Sequence, residues 1–207
     1  MPELWVLDCI FVTLQLACMR IVVGITGASG AIFGIRTLEV LKALSVETHL
    51  ILSPQAARTI ELETSYTSRD FEALADVVHR ENDLAASPSS GSFVHDGMIV
   101  IPCSIKSAAA IAYGLNDTLL TRAADVCLKE RRRLVLVVRE TPLHLGHLRT
   151  LTQLAEIGAV ILPPMPAMYA RPNSVQEIVN HTVGKVLDQF GVANELFTRW
   201  STPRSVP

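Results

Sequence analysis

Arg20-Ile21-Val22-Val23-Gly24-Ile25-Thr26-Gly27-Ala28-Ser29-Gly30 decides the fold. Its first half is a short β-branched run without polar alternation, the pattern of a strand buried on both faces. Its second half is small and hydroxyl-bearing, and leads into Ile32, Ile35, Leu38, Leu41 and Leu44, which recur every third residue and share one side of a helix. A strand that turns through glycines into a helix opens a βαβ unit. Small residues in that turn let backbone N–H groups approach an anion at the helix N-terminus, where the dipole also favours negative charge. Tight packing of helix on strand would select the same residues. The spacing is GxxGxxG, and the second strand ends in Ser53 where a ribose-binding acid belongs, so a dinucleotide such as NAD is disfavoured.

Outward from this unit, β-branched runs at 48–52, 98–101, 134–138 and 160–162 predict four more strands. Between them, helical patterns cover 70–78, 117–130 and 145–157, the last stopped by Gly158. Ser174-Val175-Gln176-Glu177 reads as a capping box that opens a final helix running to Phe190, closed by Gly191. Ser87-Pro88-Ser89-Ser90-Gly91-Ser92 reads as a loop. Strands alternating with helices predict one α/β domain: a doubly wound parallel sheet, Rossmann-like or flavodoxin-like, with helices on both faces and ligands at the carboxyl ends of the strands.

At 207 residues the chain suits a single core. Eighteen basic against twenty acidic side chains leave a net charge of -2, which argues against nucleic acid or an anionic membrane as partner. A 49% hydrophobic composition and a mean hydropathy of +0.35 predict surface hidden in subunit contacts. Cys9, Cys18, Cys103 and Cys127 have no CxxC or paired spacing, which predicts a reducing, cytoplasmic home. Residues 1–18 lack a basic n-region and carry Glu3 and Asp8, so they read as an extension or a mis-called start before Met19 rather than as a signal peptide. The domain is expected over 19–192, followed at 193–207 by an arm whose Phe197 and Trp200 dock on a neighbouring copy.

Three further segments carry chemistry. Pro102-Cys103-Ser104-Ile105-Lys106-Ser107 is a second hydroxyl-rich turn at the sheet edge, in which Ser104 and Ser107 either bind an anion or cap the next helix, and Cys103 packs. Arg139-Glu140 follows five apolar strand residues directly, so both charges lie where an open α/β sheet binds ligands; a guanidinium there can hold phosphate and a carboxylate can move protons. Arg131, Arg132 and Arg133 form a charge run of the kind that is usually a solvated face. Pro163-Pro164-Met165-Pro166-Ala167-Met168-Tyr169 is stiff enough to hold Tyr169 at a pocket mouth or to bury it at a subunit contact. His144 and His147 lack a third ligand of matching spacing and are read as helix-start and packing residues, and no metal is invoked.

TGASGA at 26–31, IELET at 60–64, SSGSF at 89–93, DGMIVIPCS at 96–104, RAADVCLKERRRLVLVVRETPL at 122–143 and ILPPMPAMY at 161–169 together resemble the UbiX-type flavin prenyltransferases, a family that includes members named after phenolic acid decarboxylases. The resemblance spans residues 20–200. It implies transfer of a dimethylallyl group from dimethylallyl monophosphate to N5 and C6 of reduced FMN, making prenylated FMN for a UbiD-type decarboxylase, in a homo-oligomer expected to be a dodecamer. By motif, Gly27, Ala28, Ser29, Ser53, Ser104, Ile105, Lys106, Ser107 and Arg139 would hold FMN, and Tyr169 and Lys185 the prenyl phosphate. Glu140, Ser29, Glu63, Lys129 and Arg122 would complete the catalytic site, some of them across a subunit boundary. Leu84 replaces a tryptophan, Pro54 a larger side chain and Lys185 an arginine seen in relatives; lysine keeps the charge and loses the bidentate fork. Two other readings share the sheet: an FMN-dependent peptidyl-cysteine decarboxylase, and a non-catalytic flavin carrier in a decarboxylase complex.

Overall fold

Six strands appear among residues 19–200, which the computed structural model describes: β1 (Arg20–Ile25), β2 (Glu47–Leu52), β3 (Val77–His79), β4 (Gly97–Cys103), β5 (Arg133–Val138) and β6 (Val160–Ile161). They form one sheet in the order β3-β2-β1-β4-β5-β6 with every neighbouring pair parallel. Without the three-residue β3, the order is that of flavodoxin-type sheets, and with it that of Rossmann sheets, so both halves of the expectation hold. The order reverses between β1 and β4, and the crevice beyond their carboxyl ends is where such sheets bind ligands.

Helices cover both faces. On one side, α1 (Ala31–Ala43), α2 (Pro54–Glu63), α3 (Ser68–Glu72) and α7 (Val175–Asp188) pack on Ile21, Val23 and Ile25; on the other, α4 (Ile105–Ala112), α5 (Leu119–Lys129) and α6 (Leu145–Glu156) pack on Val22, Met98 and Leu134. Alternate β1 residues thus feed opposite cores, which is why the run shows no polar alternation. Ile35, Leu38 and Leu41 are buried against the sheet as their spacing predicts. No helix among the described residues is long and apolar enough to cross a membrane.

The structure corrects three expectations. Residues 70–78 are not one helix: α3 stops at Glu72, and Val77–His79 pair with β2 as an edge strand. A helix that the hydrophobic pattern does not predict, α2, starts where Ser53 accepts from the Ala56 amide at 3.1 Å and Pro54 fills the first position, whose missing N–H costs nothing. Ser174 caps α7 by accepting from Glu177 N at 3.2 Å, but the Glu177 carboxylate accepts from Asn173 N at 2.9 Å, so the box is half formed. Reciprocal boxes occur instead at Thr67/Asp70 and Thr118/Thr121. The expectation for residues 1–18 lies outside the described residues.

Under β2 and β3 lies a histidine cluster. His49 bonds Glu47 at 2.9 Å through one ring nitrogen and His79 at 2.9 Å through the other, while Arg20 donates twice to Glu47, at 2.7 and 2.8 Å. Burial pushes the His79 imidazolium below its usual range, with the charge of His49 adding and that of Asp83 opposing. Burial likewise depresses His95, whose Nε2 is buried without a partner among the described residues. Groups neutral in the fold and protonated when unfolded give stability that is complete above about pH 6.5 and is lost as pH falls through the depressed values. The melting temperature is therefore expected to fall between pH 7 and pH 5, and to fall less in His79→Gln. A flat wild-type profile across that window would contradict the assignment.

Candidate active site

α1 begins at Gly30 in the left-handed region (φ 107°), with no side-chain cap of its own and no acid in its first turn. Its cap comes from 33 residues away: the Glu63 carboxylate, at the end of α2, accepts from Gly30 N at 2.7 Å and Ala31 N at 3.1 Å. The anion held by these two amides is the chain's own Glu63. Burial pushes the Glu63 carboxyl up, but the Ser29 hydroxyl, the two amides and the nearby Arg139 charge together set it below the ordinary carboxylate range. Ser29, Glu63 and Arg139 therefore share one site. At Gly27 a Cβ would stand 2.5 Å from Cβ of Gln55, so the loop approaches α2 as only glycine permits.

Adjacent loops are tied to one another at the sheet edge. Ser53 N donates to Ile25 O at 3.0 Å, and Arg139 N to Cys103 O at 3.1 Å. Ser104 caps α4, accepting from Ser107 N at 3.2 Å while its hydroxyl donates to Ser107 Oγ at 3.0 Å. Between β1 and β4 the link is Thr26, the first residue of TGASGA, to which the sequence reading gives no role; its hydroxyl touches both Pro102 O and Ser104 N. Ala28 is buried, Ile105 is half-buried, and Lys106 is exposed, its charge near Glu81. Cys103 is buried, which pushes its thiol up to about 12, so it packs rather than reacts.

Arg139 is exposed at the end of β5, and Glu140 accepts from Thr141 N at 3.1 Å. The loop ends where His144 Nδ1 accepts from Gly146 N and His147 N at 3.0 and 3.3 Å, the helix-start role expected of it.

Other expected residues lie elsewhere on the chain. Arg122 and Lys129 stand on α5 against the 87–92 loop: Arg122 donates to Ser89 O at 3.1 Å and Asp125 at 2.7 Å, and Lys129 pairs with Glu130 beside Gly91. Arg132 also ties this loop, donating to Phe93 O and Gly91 O at 2.7 Å, so it is structural rather than merely solvated. Tyr169 packs edge-on to Trp200, with ring centres 5.2 Å apart, and to His181 at 6.2 Å. Lys185 lies 3.6 Å from Asp188, whose two oxygens are held more tightly by Arg199 at 2.8 and 3.0 Å. Among the described residues no hydrogen bond or ion pair joins Arg122, Lys129, Tyr169 or Lys185 to Arg139 or Glu140.

Residues 13–187 match the Flavoprotein family. The chain is 58% identical over 184 residues to the flavin prenyltransferase UbiX of Escherichia coli K12, which covers 87% of this chain and 97% of that one. The solved structure of AnUbiX (PadA1) in complex with FMN and dimethylallyl pyrophosphate superposes with a TM-score of 0.88 at 52% identity, covering 90% of this chain and 99% of that one. A dodecameric FMN-dependent Ubix-like decarboxylase from Escherichia coli O157:H7 does so with a TM-score of 0.87 at 52% identity, covering 89% and 100%. At that identity, over that length and on the same sheet, the chain belongs to the Flavoprotein family, among its UbiX-type flavin prenyltransferases.

Proposed function

We propose that the chain joins a dimethylallyl group from dimethylallyl monophosphate to N5 and C6 of reduced FMN, releases phosphate, and supplies prenylated FMN to a UbiD-type decarboxylase. The observation that carries this reading is the meeting of Ser29, Glu63 and Arg139 at the crevice where the strand order reverses, flanked by the Ser53 and Ser104 turns. The residues fit a flavin: the edge offers amides and hydroxyls, and Gly27 keeps the first loop low. When bound, reduced FMN supplies the nucleophilic atoms. Gly27, Ala28, Ser29, Ser53 and the 104–107 turn hold it, and Arg139 anchors its phosphate. Glu63 holds the Gly30 and Ala31 amides directly after Ser29, which fixes the turn that presents the Ser29 hydroxyl.

Ionising an allylic phosphate leaves charge on the departing group, which Arg122, Lys129 and Lys185 neutralise, with Tyr169 beside them. These cations suffice without a metal ion. Glu140, or the released phosphate, takes the proton lost when the second bond forms. Because no hydrogen bond or ion pair among the described residues joins Arg122, Lys129, Tyr169 or Lys185 to Arg139 or Glu140, the site is read as completed where copies meet in a homo-oligomer, with a dodecamer as the expected size. Met165, Met168 and Trp200, 71%, 70% and 67% exposed, belong to the contact surface, with 193–200 as the start of its arm; the rest of the expected arm, 201–207, lies outside the described residues. The setting is cytoplasmic, in keeping with two buried free thiols, Cys103 and Cys127.

Flavin extracted after anaerobic reaction is expected to activate an apo UbiD-type decarboxylase to which FMN alone gives no activity. Activation by untreated FMN as good as by the extract would leave this protein only a carrier.

A further inference from the structure

We infer that Thr26 is a positioning residue for flavin binding, its single hydroxyl fixing the spacing between the β1–α1 and β4–α4 loops. The inference rests on the proposed flavin site at this sheet edge. Thr26 is 2% exposed. Its hydroxyl donates to Pro102 O at 2.8 Å and accepts from Ser104 N at 2.8 Å, and its own amide donates to Pro102 O at 3.2 Å. A carbonyl only accepts and an amide only donates, so the direction of both hydroxyl bonds is forced.

Backbone pairing contributes only the Thr26 N–Pro102 O bond to this link and does not reach Ser104. The β1–β4 ladder ends at Gly24↔Val100, and the β4–β5 register shifts between Val100 and Cys103 before pairing resumes at Cys103↔Val138. Pro102 has no N–H to offer, so past Val100 the two central strands are joined by the Thr26 amide and side chain. The far end of the link matters most. Ser104 is the cap of α4, and its hydroxyl bonds both the amide and the hydroxyl of Ser107. Moving the Ser104 amide therefore moves the first turn of α4, which carries Ile105, Lys106 and Ser107, the residues assigned to the flavin. Valine has the shape of threonine and can make neither hydroxyl bond; serine can make both.

The test titrates FMN into purified Thr26→Val, Thr26→Ser, Arg139→Ala and Thr37→Val. Thr37 serves as a matched control, a fully buried threonine on α1 whose hydroxyl donates to Phe33 O at 2.8 Å within its own helix. Thr26→Val is expected to raise the FMN dissociation constant by at least about tenfold, as loss of a buried hydroxyl pair implies. Thr26→Ser should stay within about threefold of wild type, and Thr37→Val should lose melting temperature without losing flavin. At saturating FMN the KM for dimethylallyl monophosphate should be unchanged in Thr26→Val. If Thr26→Val yields no folded protein, Thr26→Cys, with its weaker thiol hydrogen bonds, is expected to lose affinity by an intermediate factor. Wild-type affinity in Thr26→Val or Thr26→Cys, with Arg139→Ala weakened, overturns the role of Thr26. So does a loss in Thr26→Ser or Thr37→Val equal to that in Thr26→Val. Unchanged affinity in both Arg139→Ala and Thr26→Val instead removes the flavin site from this edge.

Discussion

Exchange of Glu140 for glutamine is expected to slow turnover by about a hundredfold or more while FMN stays bound, the range associated with losing a positioned acid or base. Glu140 follows Arg139 directly at the end of β5, where five buried apolar residues have carried the chain to the edge of the sheet. Glutamine keeps the size and an acceptor for Thr141 N, whose bond to Glu140 measures 3.1 Å, and removes the negative charge and with it the capacity to take a proton. The comparison therefore isolates chemistry from shape. Stopped-flow turnover with FMN occupancy measured alongside separates the two; loss of flavin in proportion to loss of rate would make Glu140 a binding group instead.

Glu63→Ala has a double consequence. The two α1 amides at 2.7 and 3.1 Å lose their acceptor, and removing such a cap costs about 0.5–2 kcal/mol, or a few degrees of melting temperature in a domain of this size. The turn that carries Ser29 loses the carboxylate that holds it, and turnover is expected to fall by about a hundredfold. Glutamine keeps an acceptor for the two amides and loses the charge at the helix N-terminus, so Glu63→Gln should recover part of the stability and little of the rate. Because the folded carboxyl titrates below its ordinary value, its stabilising contribution is present above about pH 4.5 and is lost as pH falls through the lowered value. Full activity in Glu63→Ala would reduce the residue to a cap.

What the sequence discloses, and what it hides, follows from how far apart the interacting residues lie. β1 and its glycine turn are legible because a β-branched run and a three-residue helical repeat are local patterns. Arg139 and Glu140 are legible because charges directly after a buried strand have one natural place. β3 reads as the tail of a helix, since three residues with exposed valines give no alternation to recognise. The helix α2 buries only Ala56 and Ile60, too few for a periodic signal, although Ser53-Pro54 is a usable start signal. The cap that Glu63 supplies to α1 spans 33 residues, and the bonds of Thr26 to Ser104 span 78, so no local pattern can announce either. Glu63 is reached through the resemblance of its motif; Thr26 opens TGASGA, but a hydroxyl directly after a strand looks like any other loop residue and the motif gives it no role.

The most direct test of the central claim is anaerobic incubation of the purified protein with reduced FMN and dimethylallyl monophosphate, followed by mass spectrometry of the released flavin. A flavin heavier by one five-carbon prenyl unit is expected; unmodified FMN from protein that has bound it would mean that the chain does not transfer the prenyl group.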